Sequence, residues 1–110
     1  MPQFISDEEI EKALDYLRDN ASLAAKAKAE RFYVIEYRKV IKSQIMQEHN
    51  SDSAVIQQRH AYADPRYLQH LEAIREAIKI DEQCQFLRSA AEAKINAWQT
   101  MSANERAHKI

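Results

Sequence analysis

His49-Asn50-Ser51-Asp52-Ser53 is the one clear turn-forming run in a chain of 110 residues that contains no glycine and only two prolines, Pro2 and Pro65. Asn, Ser and Asp favour turns because their short polar side chains compete with the helix ladder for backbone hydrogen bonds. On both sides of this run the sequence is rich in Ala, Glu, Lys, Arg, Gln and Leu, the residues that lose least entropy in a helix. Without glycine the chain has few means of building hairpins, bulges or phosphate-cradling loops, so dinucleotide and P-loop fingerprints are excluded. The fold class is therefore all-α: an elongated antiparallel helical hairpin with coiled-coil-like packing, in a single domain over residues 1–110.

Upstream of the turn, residues 23–48 read as one helix of ~39 Å. Stepping 100° per residue puts Leu23, Ala27, Val34, Tyr37, Ile41 and Ile45 on one stripe, with Phe32, Ile35 and Met46 almost opposite. Two apolar faces require two neighbours, so the second face meets either the first helix or another subunit. That first helix spans about 7–19, with Ser6-Asp7-Glu8-Glu9 as its capping box. Asp19-Asn20-Ala21-Ser22 suits a break or kink before residue 23, with an uninterrupted helix as the alternative.

Downstream, residues 49–64 form a loop with a short helix from Ala54 to Ala61, capped by Ser53. Asp64-Pro65 is a strong helix start, Asp as N-cap and proline where no amide hydrogen is needed. The last helix then runs from about 65 to 99. Tyr67, Leu71, Ile74 and Ile78 share one face, whereas Ile80, Cys84, Leu87, Ala91, Ile95 and Trp98 share another, rotated by roughly 140°. This crossover at Lys79-Ile80-Asp81-Glu82 implies a change of packing partner. Ile41 and Leu71 are both expected in the hairpin core.

Charge is nearly balanced, 16 basic against 17 acidic residues, so no global field draws the chain to nucleic acid or membrane. Locally, Lys28, Arg31, Arg38 and Lys42 lie within about 80° on the second helix, with Lys39 at the edge and aromatics nearby. Such a stripe can track phosphates, or its bases are solvated, or pair with the acidic first helix and with Glu30 and Glu36. Cys84 is alone, which excludes an internal disulfide, and it falls on an apolar stripe as a buried thiol. No apolar run approaches the ~18 residues of a membrane span, and the N-terminus has no leader pattern. Bundle metal sites use Glu-x-x-His pairs, and no Glu or Asp here has a histidine three residues on. His49, His60, His70 and His108 read as solvated. No catalytic residue, metal or cofactor is expected.

Several runs resemble a set of short helical proteins of tailed bacteriophages and prophages. They are Ala13-Leu14-Asp15-Tyr16-Leu17-Arg18-Asp19-Asn20-Ala21, Glu36-Tyr37-Arg38-Lys39, Ala61-Tyr62-Ala63-Asp64-Pro65-Arg66-Tyr67 with His70-Leu71-Glu72, and Phe86-Leu87-Arg88 through Ala91-Glu92-Ala93-Lys94-Ile95 to Trp98. The resemblance spans roughly residues 8 to 100. It brings no catalytic residues and implies a phage accessory protein, encoded among early or replication–recombination functions. The expectation is a homodimer in the host cytoplasm that binds a phage or host protein through Phe32, Ile35, Met46 and Trp98. The alternative is a DNA-transaction accessory using Lys28, Arg31, Arg38, Lys39 and Lys42; a virion assembly role is a third.

Overall fold

A computed structural model describes residues 5–108, and all of the regular structure in that span is α-helix. Helix α1 covers Asp7–Glu48, α2 Ala54–Ala63 and α3 Pro65–His108. The result is an all-α hairpin in which α1 and α3 are the long arms. Each start is fixed by the residue that the sequence marks. The Ser6 hydroxyl accepts from the Glu9 amide at 3.1 Å, and the Ser53 hydroxyl accepts from Ile56 N at 3.4 Å. Asp64 closes α2 and opens α3: its carbonyl accepts from Tyr67 N at 3.0 Å and its carboxylate from Arg66 N at 2.8 Å.

Two boundaries differ from expectation. The break near residues 19–23 is absent, and α1 runs through it as one helix of 42 residues. Asn20 does not cap; its side-chain amide donates to the Tyr16 carbonyl one turn back, at 3.0 Å. With neither glycine nor proline in the segment, nothing forces the ladder apart. Similarly, α3 does not end at 99 but continues to His108, with Arg106 and His108 in its last turn, where cations suit the dipole.

The turn itself uses no positive φ at any described residue. His49 N bonds to Met46 O at 3.0 Å and Asp52 N to His49 O at 3.0 Å. Gln57 Nε2 then ties back to the Asp52 carbonyl at 2.8 Å. Tight i→i−3 bonds of this kind reverse the chain without glycine.

The chain divides into two compact units. In the one from Lys26 to Glu82, the buried and half-buried positions of α1 include Ala27, Arg31, Val34, Ile41 and Ile45, with Ile35, Tyr37 and Met46 flanking them; those of α3 include Tyr67, His70, Ile74, Ala77 and Asp81. Both sets follow alternating steps of three and four residues, or whole sevens. Ile45 is fully buried with Ala61 and Tyr67, and Ile41 and Met46 pack against them. In the other unit, formed by the chain up to Ala25 and from Gln83 onward, the same stepping selects Ile10, Ala13, Leu17, Asn20 and Ala24 of α1 and Cys84, Ala91, Ile95 and Trp98 of α3.

Most members of the expected stripes are buried or half-buried, Ala27, Val34, Tyr37, Ile41, Ile45, Tyr67 and Ile74 among them, but four leucine and isoleucine positions are not. Leu23 is 59% exposed, Leu71 38%, Ile80 45% and Leu87 54%. Nor does the buried side of α3 jump at residues 79–82, because Asp81 itself is the buried residue there, at 3% exposure. A mean step of 3.5 residues departs from an ideal 3.6-residue helix by ~20° per seven residues. Over a helix this long, a straight 100° projection therefore misplaces some positions, Leu23, Leu71, Ile80 and Leu87 among them.

Candidate functional site

Three groups of side chains outside the apolar seams bear on what the chain does. The first lies at the turn end of the unit from Lys26 to Glu82. Arg66, in the first turn of α3, reaches back to Glu48 at the end of α1 and sideways to Asp64. Its Nη1 donates to Glu48 Oε1 at 2.9 Å, its Nη2 to Glu48 Oε2, and its Nε to Asp64 Oδ1 at 3.0 Å. These contacts join the two arms of the hairpin. The Arg66 hydrogen bonds hold the Asp64 carboxyl at about 2 and keep Glu48 below the usual carboxylate range. Glu48, followed by Asp64, in turn raises the Arg66 guanidinium. Beside them Tyr62 meets Tyr67 edge-on at 5.4 Å, and Lys42 Nζ donates to the Tyr62 hydroxyl at 2.9 Å.

At the same end, His49, Asp52 and His60 converge, with one donor atom from each within 4.8 Å of the others. Looking for carboxylate-then-histidine pairs passes over this group, because its order is histidine first: His49-x-x-Asp52, then His60 eleven residues after His49. The visible signal was a histidine on each side of a turn-forming Asp. His70 is likewise not a solvated residue. It is half-buried, donates from Nε2 to the Val34 carbonyl and lies against Tyr37, ring centroids 5.8 Å apart.

The second group is the basic stripe. Arg31 turns inward, its Nη1 donating to Asp81 Oδ2 at 3.1 Å and to Glu82 Oε1 at 2.8 Å. Those bonds, Glu82 first, raise its guanidinium above the ordinary arginine value. Lys39 pairs with Glu36 at 3.0 Å, and Lys42 is engaged with Tyr62. Lys28 and Arg38 are the exposed remainder. Three of the five cations are thus committed within the chain: Lys39 to Glu36, one of the expected partners, but Arg31 and Lys42 to residues beyond α1 and not to its acidic start.

The third group is apolar. Phe32 is 70% exposed and Tyr33 60%, and Tyr33 stacks on Tyr37 with ring centroids 5.7 Å apart. Ile35 is half-buried. Met46, expected on the same open face, instead packs on the Ile45–Ala61–Tyr67 cluster. In the other unit Trp98 is half-buried, its indole N–H pointing to Asp7 Oδ1 at 3.3 Å, while Phe86 is 72% exposed beside Leu87. Leu87 also borders a shallow groove of about 260 Å³ with Ala13, Tyr16 and Ala91. The open apolar surface therefore centres on Phe32–Tyr33 and on Phe86–Leu87, rather than on Met46 and Trp98. Cys84 is half-buried.

No helix among the described residues is long and apolar enough to cross a membrane. The chain matches no family model, no curated protein and no solved structure.

Proposed function

We propose that this chain is a non-enzymatic accessory protein of a tailed phage or prophage, acting in the host cytoplasm through protein–protein contact and as a homodimer. The observation that carries the reading is the pair of exposed aromatics, Phe32 at 70% and Phe86 at 72%, each beside a second exposed apolar residue. Large apolar groups gathered on an open face mark interaction surfaces, and aromatics are enriched at interfaces. The phage assignment draws on the sequence runs from Ala13 to Trp98 described above.

The nucleic-acid alternative has a narrower base, since only Lys28 and Arg38 of the five stripe cations remain exposed without a described ion-pair partner. A tagged pull-down from infected-host lysate, with and without nuclease, separates the two. Under the leading reading a specific protein is retained after nuclease treatment. Partners lost on nuclease treatment would replace it with the nucleic-acid reading, and binding would then fall steeply with salt.

A further inference from the structure

We propose that His49, Asp52 and His60 form a binding site for a divalent transition-metal ion of the zinc class. Each ligand comes from a different part of the turn. His49 directly follows the last residue of α1, Asp52 lies in the bend, and His60 sits in the second half of α2. His49 Nδ1 is 3.8 Å from Asp52 Oδ2, and His60 Nε2 is 3.9 Å from the same oxygen. Both separations lie beyond a hydrogen bond. Two imidazole nitrogens therefore face one carboxylate oxygen across a gap instead of bonding to it.

The size of that gap suits an ion. Ligand atoms at 2.0–2.1 Å around a tetrahedral zinc lie about 3.3 Å from one another. The three donors are within 4.8 Å of each other, so binding requires them to close in by no more than about 1.5 Å. The imidazole rings are stacked at 3.9 Å with planes 4° apart. Parallel rings cannot both aim a lone pair at one point, so they must swing open on binding. The side chains have room to do so: His49 is 34% exposed, Asp52 40% and His60 48%. None is part of the Ile45–Ala61–Tyr67 cluster, so the rings can turn without repacking the core.

The donor set selects the metal. Two imidazoles and one carboxylate favour zinc, nickel, cobalt or copper over magnesium and calcium, which prefer oxygen. Three protein ligands leave the fourth position to water. The bound ion would link the end of α1, the bend and α2, adding to the turn's backbone bonds, the Gln57 tie to Asp52 and the packing of Ile45 on Ala61. Because the separate segments hold no such geometry when unfolded, binding favours the folded state by mass action.

The test is calorimetric titration of the full chain with zinc chloride, with thermal melting followed by circular dichroism. The expected result is one ion per chain and a melting temperature that rises with zinc. His49→Gln and His60→Gln should each weaken binding by at least ~10-fold, since even outer-shell changes cost that much. Asp52→Asn should do the same, and His108→Gln should leave affinity unchanged. Magnesium chloride should produce no heat. Helix content by circular dichroism, measured without metal, keeps the comparison to variants folded as the parent is. Absence of saturable binding would overturn the site. So would an affinity in His49→Gln and His60→Gln equal to that of the parent chain, or a stoichiometry of one ion to two chains.

Discussion

At the scale of single residues, the buried charge on Asp81 has to be explained first. It occupies a seam position of α3 at 3% exposure, where the stepping calls for an apolar residue. A carboxylate taken out of water is costly unless a cation and hydrogen bonds meet it, and Arg31, in the seam of α1, supplies both. A charged layer in a mostly apolar seam fixes register, because sliding the helices would strand both charges. Asp81→Ala should therefore lower unfolding free energy by about 1–3 kcal/mol, measured by urea denaturation; a change within ±0.3 would contradict the pairing. The Arg66 clamp has a different signature, in pH. Asp64 is held at about 2, below the ~3.9 of an unfolded Asp, so folding favours its ionised form. Its contribution is complete above the unfolded value and is lost as pH falls from about 4 toward 2. Asp64→Asn should flatten the fall in melting temperature across that window, leaving the profile above pH ~6 parallel to wild type. Identical acid limbs for the two proteins would rule the clamp out as their cause.

At the scale of the element, what matters is which side of each long helix faces inward. Ile45 is fully buried in the seam, whereas Leu71 lies beside it at 38% exposure. Ile45→Ala should cost about 2–5 kcal/mol, as for a core truncation; Leu71→Ala should cost less than ~1, as for a surface site. Equal losses would mean that the seam does not pass where the burial places it. The starts of the helices were legible in the sequence because capping is local: Ser6, Ser53 and Asp64 act on amides two or three residues away. The inward face was legible in part: Ala27, Val34, Ile41 and Ile45 lie inward as projected, whereas Leu23, Leu71, Ile80 and Leu87 do not, because a small error in step accumulates along 42 and 44 residues. Asn20 misled for a related reason: its propensity to cap is real, but bonding to the Tyr16 carbonyl leaves the helix intact. The convergence of His49 with His60 depends on the path of the turn and on the placing of α2, which no spacing rule for a single helix contains. The basic stripe was legible as a stripe, yet not as a set of partners, because Asp81 and Glu82 lie fifty residues from Arg31 in sequence.

At the scale of the whole molecule, the question is what becomes of the apolar surface that the chain does not bury itself. Among the described residues, half of the buried apolar ones are alanines: Ala13, Ala27, Ala61 and Ala77, against Ile10, Val34, Ile45 and Tyr67. Alanine removes little apolar surface from water, while the large side chains of Phe32, Tyr33, Phe86 and Leu87 remain outside. At ~25 cal/mol per Å², covering an aromatic pair on each of two chains is a substantial driving force. A stable dimer buries about 1,200–2,000 Å² in total, more than one such pair provides, so neighbouring residues such as Val40, 43% exposed, would have to join it. Light scattering across a concentration series should accordingly give twice the chain mass of 12.8 kDa. Phe32→Ser with Tyr33→Ser should return the mass toward one chain while helix content is kept; Phe86→Ser with Leu87→Ser tests the other unit in the same way. Met46→Ser is the informative contrast, since Met46 packs on the Ile45 cluster and its loss should lower melting temperature rather than mass. A dimer unmoved by either double substitution, or dissociated by Met46→Ser at full helix content, would show that the chains meet through some other face.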